Sequence, residues 1–390
     1  MEKKTGYRLF LSLFFFLSGF IFSSWASRIP TIKAQFSLND AELGSILLFM
    51  PISSLIGLPI SGWLVSRYDS RIPLTIAFNL NAISLAFIGY AESMVSLILS
   101  ICVFAFSMRI LNIAINTQGI TVQKHFEKKI VGSFHGLWST GGIAGIAYST
   151  VMVALNVNMQ YHFLSVAAFT LTCTLLFYSN LMAGDRSPSG NKLVLGKPDP
   201  YIFYLGLLVF FAAVCEGGMF DWSVIYFKEV VGVNIFTSGY LIFMTFMAFS
   251  RFLSAGIIES LGMAKTYIMS AGFIVLGIAL AVTFPSFWAG MVGFSLVGFG
   301  TAAVIPMTYS LAGASKKYSP GMAISIIATY GISGMLLGPP LIGYISHAFN
   351  LRIAFITFGI AGIMLIPISQ TFFRHRRKEK ETAESLSSRL

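Results

Sequence analysis

Apolar stretches recur along the whole chain, separated by short polar breaks. They run over 8–30, 43–65, 72–91, 95–118, 131–155 and 161–181. After a longer polar break they resume over 201–227, 237–258, 266–284, 286–312, 321–346 and 351–373. A helix needs roughly 20 apolar residues to cross the hydrocarbon of a bilayer, so the pattern predicts an all-α integral membrane protein with twelve transmembrane helices. Glycine and proline are scattered through these runs, as bundled membrane helices tolerate. The first run follows the charged segment MEKKTGYR in the order of a signal peptide. It is too long for an h-region and many spans follow, so it reads as a retained first helix.

Composition agrees: 56% of the 390 residues are hydrophobic and only 11% are charged, where soluble domains carry about 25%. The formal charge of +11 raises the question of nucleic acid, and its placement answers it. Twenty of the 26 Lys and Arg fall in alternate loops and the C-terminal tail, and four (Arg28, Lys33, Lys228, Arg352) on the opposite side. The remaining two, Arg109 and Arg251, lie within spans. Such a bias sets topology, with both termini cytoplasmic, and no soluble domain is left to bind nucleic acid. Cys102, Cys173 and Cys215 are far apart inside apolar runs and read as small core residues. No metal or cofactor pattern is visible, nor a nucleophile–base pair, so neither a cofactor nor an enzyme is expected.

The longest loop on the basic side, MAGDRSPSGNKLVLGKPDP, splits the spans six and six. The chain is therefore divided into a first half at 1–181, a linker at 182–200, a second half at 201–373 and a basic tail at 374–390. The halves echo one another: the fifth span carries Gly141 and Gly145 and the eleventh Gly334 and Gly338, a spacing that lets helices approach closely. Duplicated halves are the trace of a transporter. Asn39 with Glu42 three residues on reads as a capping box opening the second span.

The end of the second span, SGWLVSRYDSRI, resembles the G-x-x-x-D-R-x-G-R-R signature of the major facilitator superfamily. Gly62, Arg67 and Arg71 match, while Ser66 stands for the acid and Asp69 for the second glycine. The corresponding AGIIESLGMAK keeps Glu259, Gly262 and Lys265. The stretches WASRIPTIKAQFSLNDAELG, FHGLWSTGGIAG, CEGGMFDWSVIYF and GFGTAAVIPMTYSLAG are similar to YbjJ-like and MosC-like permeases, relatives of the fucose-permease type. The resemblance implies two six-helix bundles around a central cavity, alternating access by rocking of the halves, and a monomeric transporter in a bacterial inner membrane. It implies no substrate.

Polar groups inside spans are costly and face the bundle interior. Arg109, Asn112 and Asn116 recur at i, i+3 and i+7 on the fourth span, one helical face suited to carboxylates or vicinal hydroxyls. The alternative is a structural polar contact between helices. On the fifth span, His135 and Trp138 lie one turn apart. The indole suits a sugar face or a cation and the histidine a proton relay, against an equally open reading as packing residues. Trp25, Trp63, Trp222 and Trp288 fall near span ends, as in an aromatic belt. Arg28 ends the first span, where it is expected to snorkel outward and, by the resemblance, to belong to an outer gate. Arg251 and Glu259, two turns apart, read as a structural charge network at the inner gate, with Gly62, Arg67 and Arg71 serving the first half.

Glu216 is the sharpest candidate, about 24 Å along its span at the helical rise. A carboxyl at that depth is either protonated, and able to carry a proton, or held ionised by a cation such as Arg109. In fucose-type relatives the acids lie on the first and fourth helices. Here the first has none and the fourth has Arg109, so under the resemblance the proton role moves to Glu216. Asp221, five residues on, sits about 140° around an ideal helix and shares a face with Glu216 only if Gly217-Gly218 breaks it. Asp221 and Trp222 are therefore assigned to the outer mouth, Asp221 capping or pairing with Arg28, and the glycine pair supplies flexibility. The expected cargo is a small polar, sugar-like or amino-sugar-like solute moved with protons. An exporter of amphipathic compounds and a non-transporting sensor are the alternatives.

Overall fold

The computed structural model describes residues 3–126, 130–184, 200–315, 317–318 and 320–387. Most of the expected linker, with Arg186, Lys192 and Lys197, lies outside the described residues, as do Lys128, Lys129, Lys316 and Arg389. Among the described residues the secondary structure is helical, with no strand. The chain divides into two compact units, Met1–Lys192 with Asn234–Leu241, and Leu193–Val233 with Ile242–Leu390.

The first unit holds α1 (Lys3–Ala26), α2 (Ile29–Gln35), α3 (Asp40–Leu47), α4 (Phe49–Arg67), α5 (Arg71–Gly89), α6 (Met94–Gln123), α7 (Val131–Ala154) and α8 (Met159–Phe177). After α9 (Pro200–Glu229), α10 (Ser238–Leu261) starts in the segment grouped with the first unit and continues into the second. The second unit goes on with α11 (Met263–Thr283), α12 (Phe287–Thr301), α13 (Val304–Gly313), α14 (Pro320–Ala348), α15 (Leu351–Ala354) and α16 (Ile356–Ser387). Every expected span coincides with helix. Among the described residues eleven helical segments are long and apolar enough to cross a membrane. The remaining expected span is α10, with Arg251 inside it.

Local chemistry sets the helix ends. The Asn39 side chain accepts from the Glu42 amide and Glu42 Oε2 accepts from the Asn39 amide, each at 2.9 Å, so the capping box is formed. The end of α7 is a Schellman turn: Asn156 takes φ 54°, its amide donates to Val153, and the Val157 amide donates back to Met152 at 2.9 Å. Proline sits inside α4 (Pro59), α14 (Pro339, Pro340) and α16 (Pro367) without ending them, as neighbouring membrane helices permit. α16 continues through the basic stretch to Ser387.

Matching close helix seams occur in both units. In the first, a Cβ on Gly19 would overlap the Trp138 carbonyl, one on Gly141 the Phe16 carbonyl oxygen, and one on Gly145 would sit 2.5 Å from the Phe20 oxygen. The backbones of α1 and α7 touch there because no side chain intervenes. In the second unit, Gly334 lies against the Phe210 carbonyl and Gly338 against Val214, joining α14 to α9. The two seams share a four-residue step on both helices, which is the duplication read from the glycine spacing. Likewise α5 packs on α6 and α8, and α11 on α12 and α16.

Candidate functional site

The seams supply a register between the halves. Glu216 follows Val214 by two residues as Phe22 follows Phe20, and Gly331 precedes Gly334 by three as Trp138 precedes Gly141. In the first unit this place holds an aromatic pair, Phe22 and Trp138, with ring centroids 6.1 Å apart. In the second it holds a carboxylate and a glycine. The halves thus differ at both residues of this register, and the second carries an acid where the first carries Phe22.

Glu216 is 7% exposed, midway along α9. Its Oε1 accepts from Arg251 Nη2 at 3.0 Å. The arginine comes from α10, and its side chain is 30% exposed against 9% for the acid. This overturns two expectations. The cation holding Glu216 is Arg251 rather than Arg109, which belongs to the other unit. The charge network expected between Arg251 and Glu259 runs instead from Arg251 to Glu216, since Glu259 lies two turns down α10, about 12 Å along the axis, and is exposed. Glu216 is thus a buried carboxylate whose charge partner is a half-buried guanidinium.

Gly217 and Gly218 do not break α9, which is continuous from Pro200 to Glu229. They are packing positions. A Cβ on Gly217 would press on Met335 of α14 at 3.3 Å, and one on Gly218 would overlap the Phe358 ring of α16. The expected hinge is therefore a tight contact. With the helix intact, Asp221 stays about 140° away from Glu216 and is half-buried. Trp222 is fully buried. Neither it nor Trp25, also in the core, belongs to an aromatic belt, whereas Trp63 and Trp288 are exposed.

In the first unit Arg109, Asn112 and Asn116 are all half-buried on one face of α6. The Asn116 amide donates to the Asn112 carbonyl at 2.8 Å, and the Arg109 stem rests on Gly57 of α4, where a Cβ would come within 3.2 Å of it. His135 is exposed on α7, edge-on to Phe15 at 5.6 Å, and Trp138 is half-buried. Gly62 has open space where a Cβ would be. The Arg67 guanidinium lies 5.8 Å over the Trp63 ring, and Arg71 starts α5, half-buried.

Arg28 does not snorkel. It is 5% exposed, its Nε donates to His162 Nδ1 at 3.2 Å, and Nη2 donates to the Val157 carbonyl at 2.9 Å. It is thus satisfied inside the first unit, and the Schellman turn of α7 is what presents Val157 to it. Since His162 Nδ1 accepts, the ring proton is on Nε2, which faces Ser149 Oγ at 3.2 Å. Sequence reasoning passed over His162; a histidine within the apolar eighth helix was the signal. His162→Leu is expected to leave Arg28 Nε buried without its acceptor and to cost about 1–3 kcal/mol. His162→Gln, which restores an acceptor, recovers part of it, and thermal unfolding in detergent measures both.

The fold and these contacts can be set beside known proteins. A family model described as Major Facilitator Superfamily matches residues 9–276 and 263–389. An uncharacterised MFS-type transporter of Yersinia pestis is 29% identical over 359 residues, 92% of this chain and 92% of the relative. The membrane protein MosC of Rhizobium meliloti is 27% identical over 374 residues, 94% of this chain and 90% of that one. Among solved structures, a bacterial homolog of the human lysosomal transporter Spinster, inward-facing and unoccupied, superposes with TM-score 0.75 at 16% identity, over 96% of this chain and 98% of that chain. A mutant form of the nucleoside transporter NupG gives TM-score 0.76 at 14% identity, over 94% and 99%. At such identities the likeness is one of fold. With helical spans throughout, two similarly seamed units and a family match along nearly all of its length, the chain belongs to the Major Facilitator Superfamily.

Proposed function

We propose that this transporter moves a small polar solute, sugar-like or amino-sugar-like, by alternating access, and that it couples the movement to protons through Glu216. The observation that carries the reading is the Glu216–Arg251 pair, a buried acid and a half-buried base inside apolar helices, with Glu216 at the register where the first half has Phe22. With Glu216 ionised, Arg251 donates to it; protonation of Glu216 weakens that contact, and the guanidinium then has donors to offer a hydroxyl or carboxylate of the solute. Arg109, Asn112 and Asn116 supply donors and acceptors on one face of α6, and Trp138 an aromatic surface for a sugar ring.

The rest of the proposal follows from charge. The basic excess in alternate loops supports a bacterial inner-membrane protein with both termini cytoplasmic, acting as a single chain whose bundles are 1–181 and 201–373, joined by the linker at 182–200 and followed by the tail at 374–390. Asp221 with Trp222, and Arg67 with Arg71 beside Gly62, are assigned to gating.

A thermal-shift screen of purified protein against sugars, polyols, amino sugars and nucleosides tests the cargo. A solute present at about 100 times its Kd stabilises the native state by about 2.7 kcal/mol, and a polar hit should also drive counterflow in proteoliposomes. Stabilisation by amphipathic cations alone would replace this reading with that of an exporter, and a hit without counterflow would replace it with a sensor.

A further inference from the structure

At one end of the second unit, α11 and α16 part to form a cavity of about 230 Å³ lined by Ala264, Ile268, Ser369, Gln370, Phe373, Arg374 and Arg377. We propose that this cleft binds the phosphodiester headgroup of an anionic phospholipid, with an acyl chain lying along the two helices. The inference is separate from the transport reading and does not depend on Glu216.

Four features converge. Arg374 and Arg377 are exposed, one turn apart on α16, and among the described residues no carboxylate lines the cleft. Two guanidiniums on one face match phosphate oxygens in a way that a single surface lysine does not. Ala264 belongs to the first turn of α11, whose N-cap is Gly262 without a side-chain cap, so backbone amides there have no intrahelical acceptor and favour an anion.

Beyond the cleft, the exposed faces of both helices are mainly apolar. Ile356, Ile363 and Gln370 recur at seven-residue steps on the same face of α16 as Arg374 and Arg377, and all are exposed. On α11 the exposed Ile268 is followed by Gly272, where nothing lies within 4 Å of a Cβ. Further along, Gly359 and Gly362 close α16 onto Ile278 and Ile274. Basic side chains thus stand at one end of an exposed, mainly apolar surface shared by the two helices.

A free anion would use the arginines but not the apolar surface; a zwitterionic lipid would use the apolar surface but gain little from two cations. Native mass spectrometry of delipidated protein, titrated with phosphatidylglycerol, phosphatidylcholine or inorganic phosphate, separates these. Expected is one tight phosphatidylglycerol per chain, not displaced by millimolar phosphate. The R374Q/R377Q double variant should bind it about thirtyfold more weakly, given the contribution of two basic residues beside an anionic lipid. Gly272→Trp, which obstructs the apolar surface and leaves the charges, should weaken it as well. Unchanged melting temperatures would show that both variants fold. Equal binding of the two lipids, displacement by phosphate, or undiminished phosphatidylglycerol binding in either variant would overturn the proposal.

Discussion

Gly141→Leu is expected to yield no monodisperse, folded protein, whereas Gly62→Ala should purify like the native chain. A Cβ at Gly141 meets the carbonyl oxygen of Phe16 well inside contact distance, and that oxygen belongs to the backbone of α1. A flexible side chain could turn away, but a helix backbone cannot, so α1 and α7 must separate along their shared seam. Gly19 and Gly145 lie on the same seam and would lose their contacts together. Overpacking by a few methylenes costs about 1–3 kcal/mol where neighbours can shift; here a whole helix must shift, and the expected cost is larger. Gly62 has nothing within 4 Å of its would-be Cβ, and Gly→Ala at a compatible position gains about 0.4–1 kcal/mol. Gly334→Leu should repeat the Gly141 result, because it faces the Phe210 carbonyl in the second seam. Size-exclusion profiles of the three variants check the ordering.

The second large effect concerns the ion pair, and it should be asymmetric. Arg251→Ala leaves Glu216 buried among apolar helices with its donor gone, a loss of about 3 kcal/mol when a buried pair is broken. Glu216→Gln leaves Arg251 with a side chain already 30% exposed, which can reach water, so the cost should stay near about 1 kcal/mol. The double variant Glu216→Gln with Arg251→Gln removes both charges and keeps an amide pair. It should therefore be more stable than Arg251→Ala alone. Apparent melting temperatures in one detergent give the ordering; a double variant less stable than Arg251→Ala would mean that the pair is not the unit of stability described here.

Much of the architecture was legible because the bilayer restricts the choices. Apolar length located the helices, and the glycine spacing marked α7 and α14 as helices that pack closely, while their partners α1 and α9 came only from the structure. What the chain could not disclose was direction. Glu216 and Arg251 are 35 residues apart on different helices, and nothing in either segment says that they meet, whereas Arg251 and Glu259 share a helix and invited a pairing that the structure does not make. Arg28 near a span end looked like a snorkelling residue because its acceptors, His162 and Val157, lie far along the chain. Gly217-Gly218 looked like a hinge because glycine permits both bending and close approach; Met335 and Phe358, on α14 and α16, decide for the second.

The account rests most heavily on Glu216 as the group that links protons to solute. The direct test is accumulation of a radiolabelled hit from the solute screen in proteoliposomes with an imposed pH gradient, alongside counterflow without one. Glu216→Gln is expected to abolish gradient-driven accumulation while counterflow persists, and Asp221→Asn to leave both intact. A Glu216→Gln protein that still concentrates the solute against its gradient when only a pH difference drives it would contradict the account.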